Sequence, residues 1–498
     1  MPGKPIMVQG TGSHVGKSIS VTALCRIFAR HGYHTAPFKA QNMALNSYVT
    51  ADGGEIGRST AEQAFAAGVA PTVDMNPILL KPSSEVGSQV ILRGKPIGHY
   101  PARDYWQLKP TLFDIVQTSL RHMLDEYDVV VIEGAGSPAE INLKAHDLVN
   151  MRVARWAQAP VVLVGDISLG GVFAWLYGTL ALLPEEERAL VRATLINKFR
   201  GDPTLLGDGL DQLTQLTGIP VLGVVPDFGD LGIGEEDTVP TNRFGNWSHD
   251  TDALRIGVIH YPYRSNFTDF DPFFHEPGVE VRYVTDPALL EGCHVICLPG
   301  TKQTMADLDW LRQYGFDNVI RRRVDAGVFL IGLCGGYQML GERLQDPDSV
   351  ESALPEASGL GFLPIATRFN QEKALYQIEA VHEASGVPVR GYEIHMGESR
   401  PLRPTTPLVR IRTRNGQAVE RLDGAIAPNG RVWGCYVHGL FDNLELRQRF
   451  LDEVRAAFDL PAAAHVASGI DNPYDRLADG FEKHLDMQLL WKILDRQA

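Results

Sequence analysis

The chain has 498 residues, a length typical of two or three domains rather than one. Hydrophobic residues make up 44% and charged residues 21%, a globular composition that argues against disorder and fibrous structure. The formal net charge of -14 repels phosphate backbones, so neither nucleic acid nor an anionic membrane is an expected partner. The sequence is compatible with an oligomer.

The five cysteines are sparse and odd in number, which argues against a disulfide framework and favours a reducing compartment. The apolar stretch after Lys4 is too short for a signal-peptide core, and the longest apolar runs are only strand-sized. We therefore expect a soluble, cytoplasmic protein.

Short apolar runs alternate with helical patterns along the chain, which predicts an α/β fold with parallel sheets. The runs include IMV before a glycine loop, VVVI, VVLV and, later, VICL and VFLI. A stretch rich in Gly, Asp, Asn and Pro lies between Asp227 and Asp252 and marks a boundary near residue 248. We predict domains at 1-248 and 252-447, and a helical appendage at 448-498.

A glycine-rich loop, GTGSHVGKS from residue 10, follows the first predicted strand and opens a helix. In such a loop, backbone N–H groups turn onto phosphate oxygens, the lysine reaches the outer phosphates and the serine binds magnesium. Thr11 stands where the strict P-loop pattern has glycine, so an ordinary glycine-rich turn is the alternative. The predicted ATP-binding residues here are Gly12, Gly16, Lys17 and Ser18.

A carboxylate at the end of another strand is expected to hold magnesium together with Ser18. Glu133 follows VVVI directly and is the first candidate, with a solvated turn as the alternative. Asp52 and Glu55 are further candidates. Asp166, after VVLVG, fits a helix cap better than a metal ligand.

The second half contains a candidate nucleophile, Cys334, in the run GLCGGYQ directly after the strand VFLI. A sharp strand-to-helix turn of this kind exposes a nucleophile and needs small neighbours. His438 follows another strand about a hundred residues later and is the candidate base; inert structural residues are the alternative. Backbone N–H groups near Gly300 and Gly335 are candidates for an oxyanion hole, although Gly300 also fits a tight turn.

Cys293 and Cys297 flank His294, but their spacing matches no common zinc pattern. The surrounding segment is apolar, so we interpret both cysteines as core residues.

The N-terminal loop and VVVIEGAGS resemble the ATP-dependent, carboxylate-activating fold of dethiobiotin synthetase. The stretches FKAQNMALNSYVTADGGEIGR and INKFRGD resemble the cobyric acid synthase family more closely. This resemblance implies that Lys39 lies at the phosphate and the substrate carboxylate, and that the loop with Asn197 lies near the nucleobase.

The C-terminal motifs resemble class I glutamine amidotransferase domains of the cobyric and cobyrinic acid synthase branch, as do the runs GYEIHMGES and SNFTDFDP. The commoner branch has a glutamate two residues after the histidine, where this chain has Leu440. Another group must then orient His438, and Asp442 is a weak candidate.

The resemblance implies amidation of the b, d, e and g carboxylates of adenosylcobyrinic acid a,c-diamide, with ATP, glutamine and the corrinoid as substrates and Mg²⁺ as cofactor. It further implies glutamine hydrolysis at Cys334 and attack of ammonia on an acyl phosphate. Ser168 and Leu169 stand where the family is expected to have Asp and Arg. The alternatives are the sibling enzyme that amidates only the a and c positions, and a P-loop switch protein with an inactive glutaminase.

Overall fold

The computed structural model describes residues 2–84, 87–234, 239, 241–352, 354–464 and 472–496. Within these ranges the chain forms two compact units. The first unit contains residues 2–44, 55–84, 87–233 and 472–496, and the second contains 45–54 and the described part of 234–464.

Strands up to residue 233 are β1 (Lys4–Gly10), β2 (Thr35–Phe38), β3 (Gln41–Met43), β4 (Ser47–Val49), β5 (Glu55–Gly57), β6 (Ile78–Ser84), β7 (Gly87–Leu92), β8 (Lys95–Pro101), β9 (Val129–Glu133), β10 (Val161–Asp166), β11 (Val191–Phe199) and β12 (Val221–Pro226). Helices in the same part are α1 (Lys17–Arg30), α2 (Arg58–Ala67), α3 (Ala102–Glu126), α4 (Met151–Ala157), α5 (Val172–Leu182), α6 (Glu185–Arg188) and α7 (Gly209–Thr217).

The first unit is built on a parallel sheet with the strand order β12-β11-β10-β1-β9-β2. Its central strands are mostly apolar, and all residues of β9 are buried. Such continuous apolar strands suit a sheet that is covered on both faces. A smaller sheet, β3-β6-β7-β8, belongs to the same unit. This arrangement confirms the predicted N-terminal α/β domain.

Strands after residue 233 are β13 (Leu254–Ile259), β14 (Arg264–Ser265), β15 (Val279–Val284), β16 (Val295–Leu298), β17 (Gly300–Thr301), β18 (Phe329–Leu333), β19 (Arg343–Gln345), β20 (Glu356–Ser358), β21 (Ile365–His382), β22 (Pro388–Pro401), β23 (Val409–Arg414), β24 (Gln417–Asp423), β25 (Ala425–Ile426), β26 (Val432–Cys435) and β27 (Val437–His438). Helices here are α8 (Thr304–Gln313), α9 (Phe316–Asp325), α10 (Gly335–Leu340), α11 (Leu444–Ala457), α12 (Pro473–His484) and α13 (Met487–Leu494).

Two larger sheets form the second unit. The first has the order β15-β13-β16-β18-β26-β25 and is parallel except for the edge strand β25. The second has the order β20-β19-β21-β22-β27 and carries the long hairpin of β21 and β22. The parallel sheet matches the predicted second α/β domain. The hairpin sheet adds the strand that lies beside His438.

The compact units differ from the predicted domain limits because long-range packing decides where short segments belong. The polar stretch divides at residue 233, and its later part joins the second unit, where Phe244 packs on Tyr283 and Trp247 Nε1 donates to Leu289 O at 2.8 Å. α11 also belongs to the second unit, whereas α12 and α13 return to the first.

The return of α12 and α13 is held by ionic and aromatic contacts with α1. Arg26 of α1 donates to both carboxylate oxygens of Asp475, at 2.8 and 2.9 Å. Trp491 packs against Phe28, with ring centroids 5.6 Å apart. Residues 472–496 are therefore part of the first unit's core rather than a separate appendage.

Candidate functional site

The glycine-rich loop connects the end of β1 to the start of α1. Gly16 takes φ 101°, a left-handed conformation that favours glycine, immediately before the helix. Lys17 Nζ lies over the loop and donates to Gly12 O at 2.7 Å and to Gly136 O at 3.2 Å. An ammonium group held by carbonyl oxygens at this position is placed to bind phosphate oxygens when a nucleotide occupies the loop.

Thr11 is compatible with this loop because its backbone continues the sheet. Its N–H donates to Val164 O at 2.9 Å, which extends the pairing of β1 with β10. Thr11 is not among the residues with positive φ, so this position does not require glycine.

Ser18 and Glu133 form a pair of oxygen donors at the ends of α1 and β9. Ser18 Oγ donates to Glu133 Oε1 at 2.8 Å, and the Glu133 carboxylate is only 1% exposed. Burial on its own raises the pKa of Glu133, but the charge of Lys39 and the hydrogen bonds to the carboxylate outweigh it and lower the pKa. A charged carboxylate beside a hydroxyl is a donor set that Mg²⁺ prefers.

Two further side chains, Lys39 and Gln63, reach the same carboxylate. Lys39 Nζ lies 2.9 Å from Glu133 Oε1, and Gln63 Nε2 donates to Glu133 Oε2 at 2.5 Å. The structure thus brings the predicted Lys39, Ser18 and Glu133 together. Gln63 was missed because an amide on a helix carries no motif of its own.

The other two predicted carboxylates, Asp52 and Glu55, each have a partner within their own unit. Asp52 is exposed in a turn of the second unit, where Thr50 Oγ1 donates to it. Glu55 is buried in the first unit and pairs with Lys81 Nζ at 2.9 Å. Among the described residues, no group of three or more His, Cys, Asp or Glu side chains is arranged to hold a metal. A role of Asp52 as a magnesium ligand stays a prediction.

Two side chains at the end of β11 support the glycine-rich loop. Asn197 Nδ2 donates to Val15 O at 3.0 Å, and Lys198 Nζ donates to His14 O at 2.6 Å. Lys198 also lies 2.9 Å from Asp166 Oδ2. Asn197 thus supports the phosphate loop through a contact with its backbone. The position of Asn197 near the nucleobase stays a prediction.

Ser168 and Leu169 differ in what they contact. Ser168 donates through its backbone N–H and its hydroxyl to Asp166 Oδ1, at 2.8 and 2.6 Å. Asp166 thus stabilises the turn after β10, and the N-cap of α5 is Gly171. Leu169 is 71% exposed.

Cys334 occupies a strained turn between β18 and α10 in the second unit. Its backbone has φ 52° and ψ -111°, a conformation rare for a residue with a side chain. A Cβ on Gly336 would lie 2.0 Å from Leu298 O, so the chain after the cysteine requires glycine. Cys334 Sγ lies 3.6 Å from Ile394 O, and the residue is 7% exposed. This geometry is typical of a nucleophile elbow.

His438 is oriented by Asp269. Asp269 Oδ2 lies 2.7 Å from His438 Nδ1, and Asp269 Oδ1 accepts from Gly439 N at 2.9 Å. Burial alone lowers the pKa of His438, but the charges of Asp269 and Cys334 outweigh it and raise the pKa above its ordinary value. The orienting carboxylate is therefore Asp269, and not Asp442, which lies in a short 3-10 turn after the histidine.

The aromatic ring of Tyr392 covers one face of His438. The ring centroids are 5.2 Å apart with an interplanar angle of 21°, and the two residues are paired in the register of β22 and β27. His438 is thus fixed at its Nδ1 edge and on one face.

The predicted oxyanion residues lie beside the cysteine and histidine. A Cβ on Gly300 would lie 3.4 Å from His438 Cε1, and a Cβ on Gly335 would lie 2.9 Å from Thr301 N. Gly300 and Thr301 form β17, which is paired with β14. The structure therefore brings Cys334, His438, Gly300 and Gly335 into one place.

Cys293 and Cys297 are fully buried in the second unit, as expected for core residues, and all five cysteines are unpaired. None of the helices in the described ranges has both the length and the apolar character needed to cross a bilayer.

Comparison with known proteins gives matches to both units. Residues 6–237 match the CobQ/CobB/MinD/ParA nucleotide binding domain, and residues 255–446 match the CobB/CobQ-like glutamine amidotransferase domain. These matches indicate use of ATP by the first half and of glutamine by the second.

Curated relatives align over nearly the whole chain. The cobyric acid synthase of Syntrophobacter fumaroxidans is 46% identical, covering 99% of this chain and 98% of that protein. The cobyric acid synthase of Sorangium cellulosum is 49% identical, covering 99% of each chain, and that of Chloroflexus aurantiacus is 49% identical, covering 99% and 98%. With both domains present in the same order, this chain belongs to the cobyric acid synthase family and is a glutamine-dependent amidotransferase.

Proposed function

We propose that this chain converts the b, d, e and g carboxylates of adenosylcobyrinic acid a,c-diamide into amides, giving adenosylcobyric acid in cobalamin biosynthesis. The observation that carries the proposal is the presence of two complementary sites in one chain of this family. One is a phosphate loop in which Ser18 contacts the buried Glu133, and the other is a Cys334, His438 and Asp269 arrangement. Neither site alone supplies both an activated carboxylate and a nitrogen nucleophile.

Glutamine hydrolysis begins when Cys334 gives its thiol proton to His438 and the Cys334 Sγ attacks the side-chain carbonyl carbon of glutamine. The carbonyl oxygen becomes an oxyanion, which backbone N–H groups near Gly300 and Gly335 stabilise. His438, held as a proton donor by Asp269, gives a proton to the departing ammonia as the C–N bond breaks. Water then attacks the thioester, giving its proton to His438, and glutamate leaves as the C–S bond breaks.

Amide synthesis begins with transfer of the γ-phosphoryl group of ATP to an oxygen of the substrate carboxylate. Lys17 and Lys39 supply positive charge for the phosphate oxygens and the carboxylate. Magnesium, when it binds with ATP at Ser18 and Glu133, neutralises part of the phosphate charge. Ammonia then attacks the acyl carbon, and phosphate leaves with the electrons of the C–O bond.

We also infer that the reaction takes place in the cytoplasm. All five cysteines are unpaired, which suits a reducing compartment, and the reaction needs ATP and glutamine.

The test is mass spectrometry of the corrinoid after incubation with the protein, ATP, Mg²⁺ and glutamine. Each amidation replaces a hydroxyl group by an amino group, so the mass of each product counts the amides formed. From the a,c-diamide we expect products with up to four further amides, at positions b, d, e and g. A corrinoid of unchanged mass would refute the proposal. Amidation of cobyrinic acid without amidation of its a,c-diamide would favour the sibling activity.

A further inference from the structure

A segment that lies in the ATP-dependent half of the sequence packs in the glutaminase unit. Residues 45–54 belong to the second unit, whereas Ala44 before them and Glu55 after them belong to the first. Val49 is fully buried in a cluster of the second unit, and Gln377 Nε2 donates to the carbonyl oxygen of Val49. The segment is thus an integral part of the glutaminase unit, joined at both ends to the chain of the other unit.

The backbone N–H and C=O groups of Ser47 in this segment are held by two side chains of the glutaminase unit. Asn266 Oδ1 accepts from Ser47 N at 3.3 Å, and Asn266 Nδ2 donates to Ser47 O at 3.3 Å. Tyr392 Oη also donates to Ser47 O at 3.3 Å and accepts from Asn266 Nδ2 at 3.1 Å. The ring of Tyr48 lies against the ring of Tyr392, with centroids 5.2 Å apart.

Both residues that hold Ser47 are connected to His438 by contacts. Tyr392 stacks on the imidazole, as described above. Asn266 is connected to it through Asp269, because Asp269 N donates to Asn266 O at 3.2 Å and the Asp269 carboxylate binds His438 Nδ1. Asn266 takes φ 51°, so this turn is held in a conformation that few residues adopt.

We propose that Tyr392 and Asn266 are positioning residues for His438, and that contact of segment 45–54 with these two side chains controls ammonia release from glutamine. When this contact is made, the segment holds the Tyr392 ring on one face of the imidazole and fixes the turn that contains Asp269. Because both ends of the segment continue into the first unit, binding of ATP and corrinoid there changes glutamine hydrolysis through the chain itself. This inference rests on the proposed function and adds its regulation.

The test compares Tyr392→Phe and Asn266→Ala with the wild type. Tyr392→Phe keeps the ring on His438 and removes the hydroxyl that binds Ser47. The rate of glutamate formation is measured with and without ATP, Mg²⁺ and the corrinoid, and the ratio of the two rates is the readout. Amide synthesis from ammonium chloride, measured on the same samples, shows that the ATP-dependent unit is intact, and a wild-type KM for glutamine shows that the glutaminase unit of each variant is folded.

We expect a wild-type ratio well above one. In both variants the ratio falls towards one. The kcat of the stimulated glutaminase falls about tenfold, with little change in the KM for glutamine. The pH profile of glutamine hydrolysis shifts as well. Ammonia-dependent synthesis stays at the wild-type level. Tyr314→Phe, at an exposed tyrosine of the same unit, is the matched control and keeps the wild-type ratio.

A wild-type ratio of one, or variants with the wild-type ratio and pH profile, would overturn the inference while leaving the proposed function standing. A wild type that forms no amide from glutamine would overturn the proposed function and this inference together.

Discussion

Asp269→Asn tests how His438, the proposed catalytic base, is held. Asp269 Oδ1 accepts from the backbone N–H of Gly439, so in the variant the amide oxygen keeps that contact and the amide NH₂ group faces His438 Nδ1. An NH₂ group donates, so it bonds to an unprotonated Nδ1 and leaves the proton on Nε2. The nitrogen available to Cys334 then cannot accept a proton.

The size of the effect follows from these contacts. Loss of a hydrogen bond to a charged group costs about 1.5–3 kcal/mol, or about 10- to 150-fold in rate. Reversal of the tautomer adds to this, and the same change in serine proteases lowers kcat about 10⁴-fold. We therefore expect glutamine-dependent synthesis to fall at least about 100-fold. Synthesis from ammonium chloride should be unchanged, because it needs no glutamine hydrolysis.

The assay follows glutamate and amide formation over a range of pH. Asp269 raises the pKa of His438, so its replacement lowers that pKa and moves the corresponding limb of the pH profile to lower pH. Asp442→Asn is the matched control and should behave as wild type. Full activity of Asp269→Asn, or an equal loss in Asp442→Asn, would refute the assignment of Asp269.

Cys334→Ser should abolish glutamine-dependent synthesis and spare ammonia-dependent synthesis; survival of both activities would mean that the nucleophile is another residue. Glu133→Gln should lower amide synthesis from either nitrogen source at least about 100-fold, because the phosphate site loses its carboxylate. Glutamine hydrolysis without ATP should be unchanged. Normal amide synthesis at ordinary Mg²⁺ concentration would contradict this prediction. Trp491→Ala should destabilise the first unit by about 2 kcal/mol, through lost packing on α1, as measured by urea unfolding. Trp175→Ala, at an exposed tryptophan, is its control, and equal destabilisation by both changes would refute that reasoning.

The parts of the sites that the sequence predicted are those encoded by neighbouring residues. The phosphate loop and the Cys334 turn each require a strand, small residues and a helix within a short stretch, and both appear where predicted. Glu133 was found because it ends a strand of continuous apolar residues.

The parts that were missed depend on contacts between distant residues. Asp269 is 169 positions from His438. It lies in the run SNFTDFDP, which resembles the family, but nothing in that run identifies Asp269 as the partner of a histidine so far along the chain. Residues 45–54 give no boundary signal, because only burial of Val49 and the bonds to Ser47 assign them to the second unit. An amphipathic pattern also predicts that α12 and α13 are helices with an apolar face, but it does not identify α1 as the surface that covers it.

The return of α12 and α13 to α1 has a consequence for synthesis of the chain on the ribosome. The helix that carries the phosphate loop emerges early, but the side chains that cover it, including Trp491, are translated only after the whole glutaminase unit. The first unit therefore completes its core last, and a fragment ending at residue 248 leaves part of the α1 surface bare. A prematurely terminated chain thus lacks part of the core of its first unit, even when every residue of the phosphate loop has been translated.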